Sequence, residues 1–260
     1  MDDRNTAAEA RLHSLLPGYA GELFWLQETD STNRQLRSLA ESGAEAGTVL
    51  LADGQTAGRG RLGRSFASPK GKGLYLSLLL RPEVSPAELG SLTPWAAVAV
   101  RRAVQAVCGL NADIKWVNDL LCRGRKLCGI LTEGAFREGK VQYAVLGVGL
   151  NLSALPEDFP PELRETATSI RQETGLSPER EALAAAVIRE LAELPKLWTA
   201  GDEAYFAEYR SACVTLGQPV RLSDGTEGVA EALDRDFALL LRLPDGNMRR
   251  VQSGEAVFRR

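Results

Sequence analysis

Between Gln55 and Pro82 the chain carries no acidic residue, yet Arg59, Arg61, Arg64, Lys70, Lys72 and Arg81 supply six positive charges. Inside that run, Gly58-Arg59-Gly60-Arg61-Leu62-Gly63-Arg64 alternates residues of wide backbone freedom with permanently charged, forked donors. Such a loop can wrap a phosphate. Glycines let backbone N–H groups approach an anion, and guanidinium groups balance the charge that builds up as a phosphoryl bond breaks. It is not a Walker A loop, because no G-x-x-x-x-G-K-[ST] occurs. The bland alternative, of lesser weight, is a flexible basic surface loop or an arginine–glycine tract for RNA.

A second polar group-rich stretch is Lys115-Trp116-Val117-Asn118-Asp119, followed by Arg125-Lys126-Leu127-Cys128-Gly129-Ile130-Leu131-Thr132-Glu133. Lys126, entering a buried strand, can present an ammonium to a carboxylate or phosphate, and Gly129 lets a planar ligand lie against the backbone. The bland alternative is an exposed hairpin in which Asn118-Asp119 only turns the chain.

These residues need elements to hold them. Residues 5 to 16 read as a short helix with Leu12, Leu15 and Leu16 on one side, ended by Pro17-Gly18. Thr32 with Gln35 forms a capping-box pattern opening a helix through Ala40, which places Asp30-Ser31-Thr32 at its entrance. Buried strands are expected at Thr48 to Ala52 and Leu74 to Leu80, with the basic loop between them. Ser85-Pro86-Ala87-Glu88 starts a helix to about Val107.

Strands at Asp113 to Trp116, Leu120 to Cys122, Leu127 to Thr132 and Val141 to Gly149 follow, with turns at Arg123-Gly124 and Glu138-Gly139. Residues 153 to 166, with Pro156, Pro160 and Pro161, read as a mobile loop; Ser177-Pro178 starts a helix to about Trp198 and Asp202 another to about Ala212. From Leu216 the pattern changes to short strands, Val220 to Leu222 and Ala238 to Leu243, set off by Asp224-Gly225 and Asp245-Gly246. The fold class predicted is α+β: a mixed, largely antiparallel sheet flanked by helices, with a small β-barrel at the C-terminus.

Composition narrows the classes. With 260 residues, 44% hydrophobic and 25% charged, the chain is an ordinary globular protein able to bury a core. A net charge of -3 argues against a polyanion-binding surface spread over the whole molecule. Cys108, Cys122, Cys128 and Cys213 form no C-x-x-C pair and His13 is the single histidine, so a structural zinc site is not expected and reduced thiols are. The acidic start Met1-Asp2-Asp3 is no secretory signal and no apolar run is long enough to span a bilayer, so a cytoplasmic location is expected. Trp95 and Trp116 read as core residues rather than ligand platforms, and His13 receives no role.

The ordered set of motifs resembles biotin–protein ligases over nearly the whole length. Thr29-Asp30-Ser31-Thr32-Asn33 looks like that family's substrate-side helix entrance, and Gln55-Thr56-Ala57 through Arg64 matches its glycine–arginine signature. Lys115 to Asp119 is close to the family's K-W-P-N-D, with Val117 in place of proline. Arg125 to Leu131 resembles its lysine strand, with Cys128 where alanine is usual. Gly147 to Leu152 and Ala167-Thr168-Ser169-Ile170 also match. The family's DNA-binding members carry an N-terminal winged helix; too few residues precede Thr29 for one, so a catalysis-only type without DNA binding is expected.

The resemblance implies a class II aminoacyl-tRNA synthetase-like catalytic domain over residues 1–215 and an SH3-like domain over 216–260. It implies a biotin site from Ser31, Thr32, Asn33, Gln55, Gly58, Arg59, Gly60, Arg61, Lys126 and Gly129. Neutral polar groups suit a buried urea, which both donates and accepts; Thr32 is also expected to cap its helix. ATP would be held by Arg59, Arg61, Arg64, Asn118, Asp119, Lys126 and Asn151, with Mg²⁺ assisting through unassigned ligands. Lys126 and Arg61 are the catalytic residues implied, and loops 54–73 and 153–166 the covers that close over an adenylate. The implied acceptor is the biotin carboxyl carrier domain of acetyl-CoA carboxylase or a related carboxylase, with a homodimer open as the assembly. The rivals are a lipoate–protein ligase of the same core and a non-catalytic RNA binder; only Phe66 and Tyr75 supply aromatics near the loop, which disfavours the latter.

Overall fold

All eight residues of Gly73–Leu80 are buried, which only a strand covered on both faces can achieve. The computed structural model describes residues 3–258. This strand, β3, sits within a seven-stranded sheet built with β1 (Leu23–Leu26), β2 (Val49–Ala52), β4 (Asp113–Lys115), β5 (Asp119–Cys122), β6 (Arg125–Arg137) and β7 (Lys140–Asn151). The order is β1-β2-β3-β7-β6-β5-β4. Only the β1–β2 pair is parallel and the rest are antiparallel, so the expected mixed, largely antiparallel sheet is what forms.

The alternation of side chains along the strands divides the sheet into two unlike faces. Leu74, Leu76 and Leu78 of β3 and Ala144, Leu146, Val148 and Leu150 of β7 face the main core. There they meet α1 (Thr6–Leu15), α4 (Leu92–Cys108) and α6 (Arg180–Ala200). On the opposite face, α2 (Thr32–Glu41) covers one end only, packing Leu36 and Ala40 on Leu50, Leu79, Tyr143 and Val145. Beyond α2 that face carries Ser77, Gly129, Gly147 and Gly149, residues too small to fill the space above them. A cleft is the consequence.

Several boundaries differ from the sequence reading. The helix expected over 85–107 is two, α3 (Pro86–Leu89) and α4, broken at Gly90-Ser91; the Ser85–Glu88 capping box itself forms. The helix placed at Ser177-Pro178 starts at Arg180 and continues through Pro195 to Ala200. Residues 153–166 are not a free loop. Two 3-10 turns, Pro156–Asp158 and Pro161–Leu163, fold over a small cluster of Ala154, Phe159 and Ala167. The short helix α5 (Ile170–Thr174), capped by Ser169, escaped the sequence reading because it is barely more than a turn.

After α7 (Glu203–Ala212), five strands form a second, antiparallel sheet: β8 (Pro219–Leu222), β9 (Glu227–Leu233), β10 (Leu239–Arg242), β11 (Met248–Val251) and β12 (Ala256–Phe258). Phe237 locks it to the larger unit. Its ring is 5.0 Å from Tyr209, 5.2 Å from Phe206 and 6.0 Å from Trp95, each edge to face, and its carbonyl accepts from the Trp116 indole at 2.8 Å. Burying such a ring contributes about 1.5–3 kcal/mol, and edge-to-face pairs add roughly 0.5–1.5 kcal/mol each. No helix among the described residues is long and apolar enough to cross a membrane.

Candidate active site

The cleft over the glycine-lined part of the sheet is a cavity of about 460 Å³ bounded by Ser31, Thr32, Asn33, Gln55, Arg59, Gly60, Arg61, Lys126 and Gly129, with Phe66 and Asn118. Every residue expected at a biotin site except Gly58 lies on its wall. Gly58 is needed for a different reason: a Cβ there would sit 2.4 Å from the Phe66 carbonyl oxygen, so only glycine lets the two limbs of the basic loop close.

A register skip sets the lysine. Between Leu120 and Leu121 the β5–β6 pairing shifts, so Leu121 faces Lys126 and Leu120 faces Cys128, leaving Leu127 extra. Leu127 and Cys128 therefore both enter the core, and Lys126 and Gly129 both line the cavity. Without the bulge, strict alternation would turn one of that pair away. The backbone around Lys126 is strapped from behind: its N–H donates to Thr166 at 2.7 Å, its carbonyl accepts from the Thr168 N–H at 2.8 Å, and Asn151 Nδ2 lies 3.4 Å from that carbonyl. Asn151, expected at the nucleotide, is thus buried bracing beneath the lysine and lines neither cavity. Residues 153–166 likewise line neither cavity, and Thr166 at their end braces the lysine strand.

The neutral end of the cavity is a chain of hydrogen bonds whose directions are fixed. Glu133, an acceptor only, receives Asn33 Nδ2 at 2.8 Å, so Asn33 Oδ1 must point to the Ser77 hydroxyl at 2.6 Å. Ser77 Oγ lies 2.8 Å from Thr32 Oγ1, and Gln55 Oε1 accepts from the Thr32 N–H at 2.9 Å. Gln55 Nε2 donates to Ser68 Oγ at 2.8 Å, tying the chain to the basic loop. The helix cap is Ser31, whose hydroxyl accepts from the Arg34 N–H at 3.5 Å; Thr32 is the first helical residue, so the expected Thr32–Gln35 box does not form. Glu133, which the sequence shows at the end of the lysine stretch, receives no role there and gains one here. Besides Asn33 it holds Arg59 at 3.0 Å and Arg37 at 3.8 Å.

A second cavity of about 570 Å³ adjoins the first, with Gly60, Arg61, Phe66, Asn118 and Lys126 common to both. Its own walls are Leu62, Arg64, Ser65, Lys115, Trp116, Asp119 and Glu255. Four cations thus face two carboxylates. Arg61 donates to Asn118 at 3.0 Å, Lys126 pairs with Asp119 at 2.8 Å, and Arg64 pairs with Glu255 of the smaller unit at 2.6 Å. Burial lowers the pKa of Arg61, partly offset by Asp119 and Glu255, and the guanidinium stays charged. Arg64 holds the Glu255 carboxyl below its usual range, with smaller help from Lys115 and Lys126. Trp116 is a core residue, as expected, that also closes this cavity.

The link from β4 to β5 contains a cis peptide bond between Trp116 and Val117, and the Val117 carbonyl accepts from the buried Tyr209 hydroxyl at 3.2 Å. At the tip of the basic loop Leu62 and Gly63 both take positive φ, 56° and 75°. The loop is pinned by Gly60 N–H to the Arg64 carbonyl at 2.7 Å and Phe66 N–H to the Gly58 carbonyl at 2.8 Å.

Two family models match the chain: the biotin/lipoate A/B protein ligase family over residues 25–151 and the biotin protein ligase C-terminal domain over residues 215–259. A biotin–[acetyl-CoA-carboxylase] ligase of Paracoccus denitrificans is 36% identical, with 90% of this chain and 98% of that protein covered. The chain belongs to the biotin–protein ligase family. A bifunctional ligase/repressor of Bacillus spizizenii is 42% identical to this family member, but the match spans 59% of the chain and 47%, about half, of that longer protein. The biotin protein ligase of Aquifex aeolicus, solved in complex with biotin and ATP, superposes with a TM-score of 0.77 at 30% identity, covering 92% of this chain and 99% of that one. Two adjoining cavities in a ligase-family chain, one with a neutral polar end and the other walled by four cations and two carboxylates, are suited to a small acid and a polyphosphate.

Proposed function

We propose that the chain is a biotin–protein ligase, which condenses biotin with ATP to biotinyl-5'-AMP and then transfers the biotinyl group to a lysine of a biotin carboxyl carrier domain, that of acetyl-CoA carboxylase or a related carboxylase. One observation carries this reading: Arg61 and Lys126 line both cavities, so a carboxylate bound in the first and a phosphate bound in the second would meet at the seam between them. A urea ring has two N–H donors and one carbonyl. Ser31, Thr32, Asn33 and Gln55 can answer all three without leaving a buried charge unpaired.

In the first step a biotin carboxylate oxygen bonds to the α-phosphorus, the bond from that phosphorus to the β-bridging oxygen breaks, and pyrophosphate leaves. Both reactants are anions, so Lys126 and Arg61 lower their repulsion and stabilise the charge that shifts onto the leaving oxygen. In the second step the carrier lysine attacks the acyl carbonyl and AMP departs. The amine must lose a proton, and Asp119 takes it once Lys126 has turned from it to the phosphate. The described residues hold no cluster of three or more His, Cys, Asp or Glu side chains, and the two carboxylates of the second cavity are already paired. Mg²⁺, when bound, would neutralise charge on the nucleotide's phosphates, and Asp119 and Glu255 are the carboxylates of this cavity that would stand nearest to it.

The same reading takes residues 1–215 as a class II aminoacyl-tRNA synthetase-like catalytic domain and 216–260 as an SH3-like one, acting in the cytoplasm. The test incubates the protein with ATP and either biotin or lipoate, follows pyrophosphate release, and then adds a purified carrier domain. Biotinyl-AMP and a biotinylated carrier are expected; lipoyl-AMP alone moves the chain to the rival activity, and no adenylate from either acid rejects adenylate chemistry.

A further inference from the structure

Lys115 lines the second cavity and not the first. It is the last residue of β4, half-buried, with its ammonium 5.4 Å from the centre of the Phe258 ring contributed by β12. Of the four cations around this cavity, three already have partners: Arg61 holds Asn118, Arg64 holds Glu255 and Lys126 holds Asp119. Lys115 makes no ion pair among the described residues, although it contributes to the cavity wall. Glu255, already held by Arg64, attracts it only at longer range, so a half-buried ammonium here loses hydration without a direct ion pair, a cost that a bound anion would remove. The ring beneath it supplies weak attraction and fixes its direction without competing for its protons.

Position separates its task from that of the two catalytic cations. Arg61 and Lys126 line both cavities, whereas Lys115, like Arg64, lines only the second. On the ligase reading, on which this inference rests, the α-phosphorus lies at the seam, so a cation beyond the seam meets the phosphates further along the chain. We propose that Lys115 binds the β- and γ-phosphates of ATP and then holds the pyrophosphate that leaves when the carboxylate–phosphorus bond forms. The negative charge that collects on the bridging oxygen as its bond to the α-phosphorus breaks is delocalised over a group already paired with this ammonium. Lys115 is therefore a substrate- and product-binding residue specific to the first half-reaction.

The two halves of the reaction can be read apart. Lys115→Met and Lys115→Arg proteins are compared with the wild type for pyrophosphate release over a range of ATP concentrations, for inhibition by added inorganic pyrophosphate, and for biotin transfer from pre-made biotinyl-AMP to the carrier domain. A lost charge-assisted contact predicts about a 10- to 100-fold fall in kcat/KM for ATP in Lys115→Met and a similar weakening of pyrophosphate inhibition. Biotin affinity and the transfer step should stay at the wild-type level, and Lys115→Arg should recover most of the loss. Equal losses in both half-reactions, or a loss confined to transfer, would assign Lys115 to structure or to carrier docking and overturn the proposal. So would unchanged ATP kinetics with unchanged pyrophosphate inhibition. Failure of the wild type itself to form an adenylate rejects the ligase reading instead, and this inference with it.

Discussion

Lys126 Nζ lies 2.8 Å from Asp119 Oδ1 on the neighbouring strand, at the only place where that pairing skips a residue among the β5–β6 partners. The pair is about one-third exposed on the lysine side, so its removal should change stability by no more than ~1 kcal/mol. Its chemical cost is far larger. Lys126→Ala and Arg61→Ala are expected to slow adenylate formation by several orders of magnitude with circular dichroism and melting temperature near those of the wild type. Pyrophosphate release at a near-normal rate from either variant would remove that residue from the chemistry.

The polar chain from Glu133 to Ser68 predicts where acid recognition resides. Gln55→Leu leaves the Thr32 N–H and the Ser68 hydroxyl without their partner and deletes a cavity donor and acceptor. Biotin affinity measured by calorimetry should fall about 10- to 100-fold, with the KM for ATP changed much less. An equal fall in both would show that the two cavities are not the separate compartments described above.

The glycine floor is open to a steric test. A Cβ at Gly149 would approach the Phe66 ring to 2.5 Å, and Phe66 borders both cavities. Gly149→Ala should displace the ring and lower adenylate formation at least tenfold. Gly90→Ala, where the nearest atom is 3.9 Å away, is the matched control and should leave activity alone. Equal activity of the two variants would contradict the placement of Phe66.

Behind the lysine strand, Glu173 is 1% exposed and binds Arg125 and the Thr168 hydroxyl, each at 2.6 Å. Burial raises its pKa, but hydrogen bonds from Thr168, Cys122 and Arg125 more than reverse this, so it ends below the ordinary 4.5. A depressed carboxyl contributes stability that is present above pH 4.5 and fades as the pH falls through its folded-state value. The melting temperature of Glu173→Gln should therefore trail the wild type at pH 7 and converge on it below about pH 4.5. A gap that widens in acid would reverse the assigned sign.

The basic loop, the lysine strand and the Ser31–Asn33 helix entrance were legible because glycine–arginine alternation and a lysine inside an apolar strand are unusual in a core and carry their chemistry locally. What the sequence hid depends on contacts across the fold. The bulge at Leu127 exists only when β5 and β6 pair, Asn151 looks like a ligand until Thr168 is seen beside it, and Glu133 gains its meaning from Asn33, a hundred residues away in the chain. The break at Gly90-Ser91 and the folded turns at 156–163 were missed for the same reason: proline and glycine signal an interruption but not what packs on it.

Glu255 reaches Arg64 from the smaller sheet and closes part of the second cavity, whereas every residue lining the first lies at or before Gly149. A displacement of the β8–β12 sheet would therefore open the second cavity while leaving the walls of the first in place.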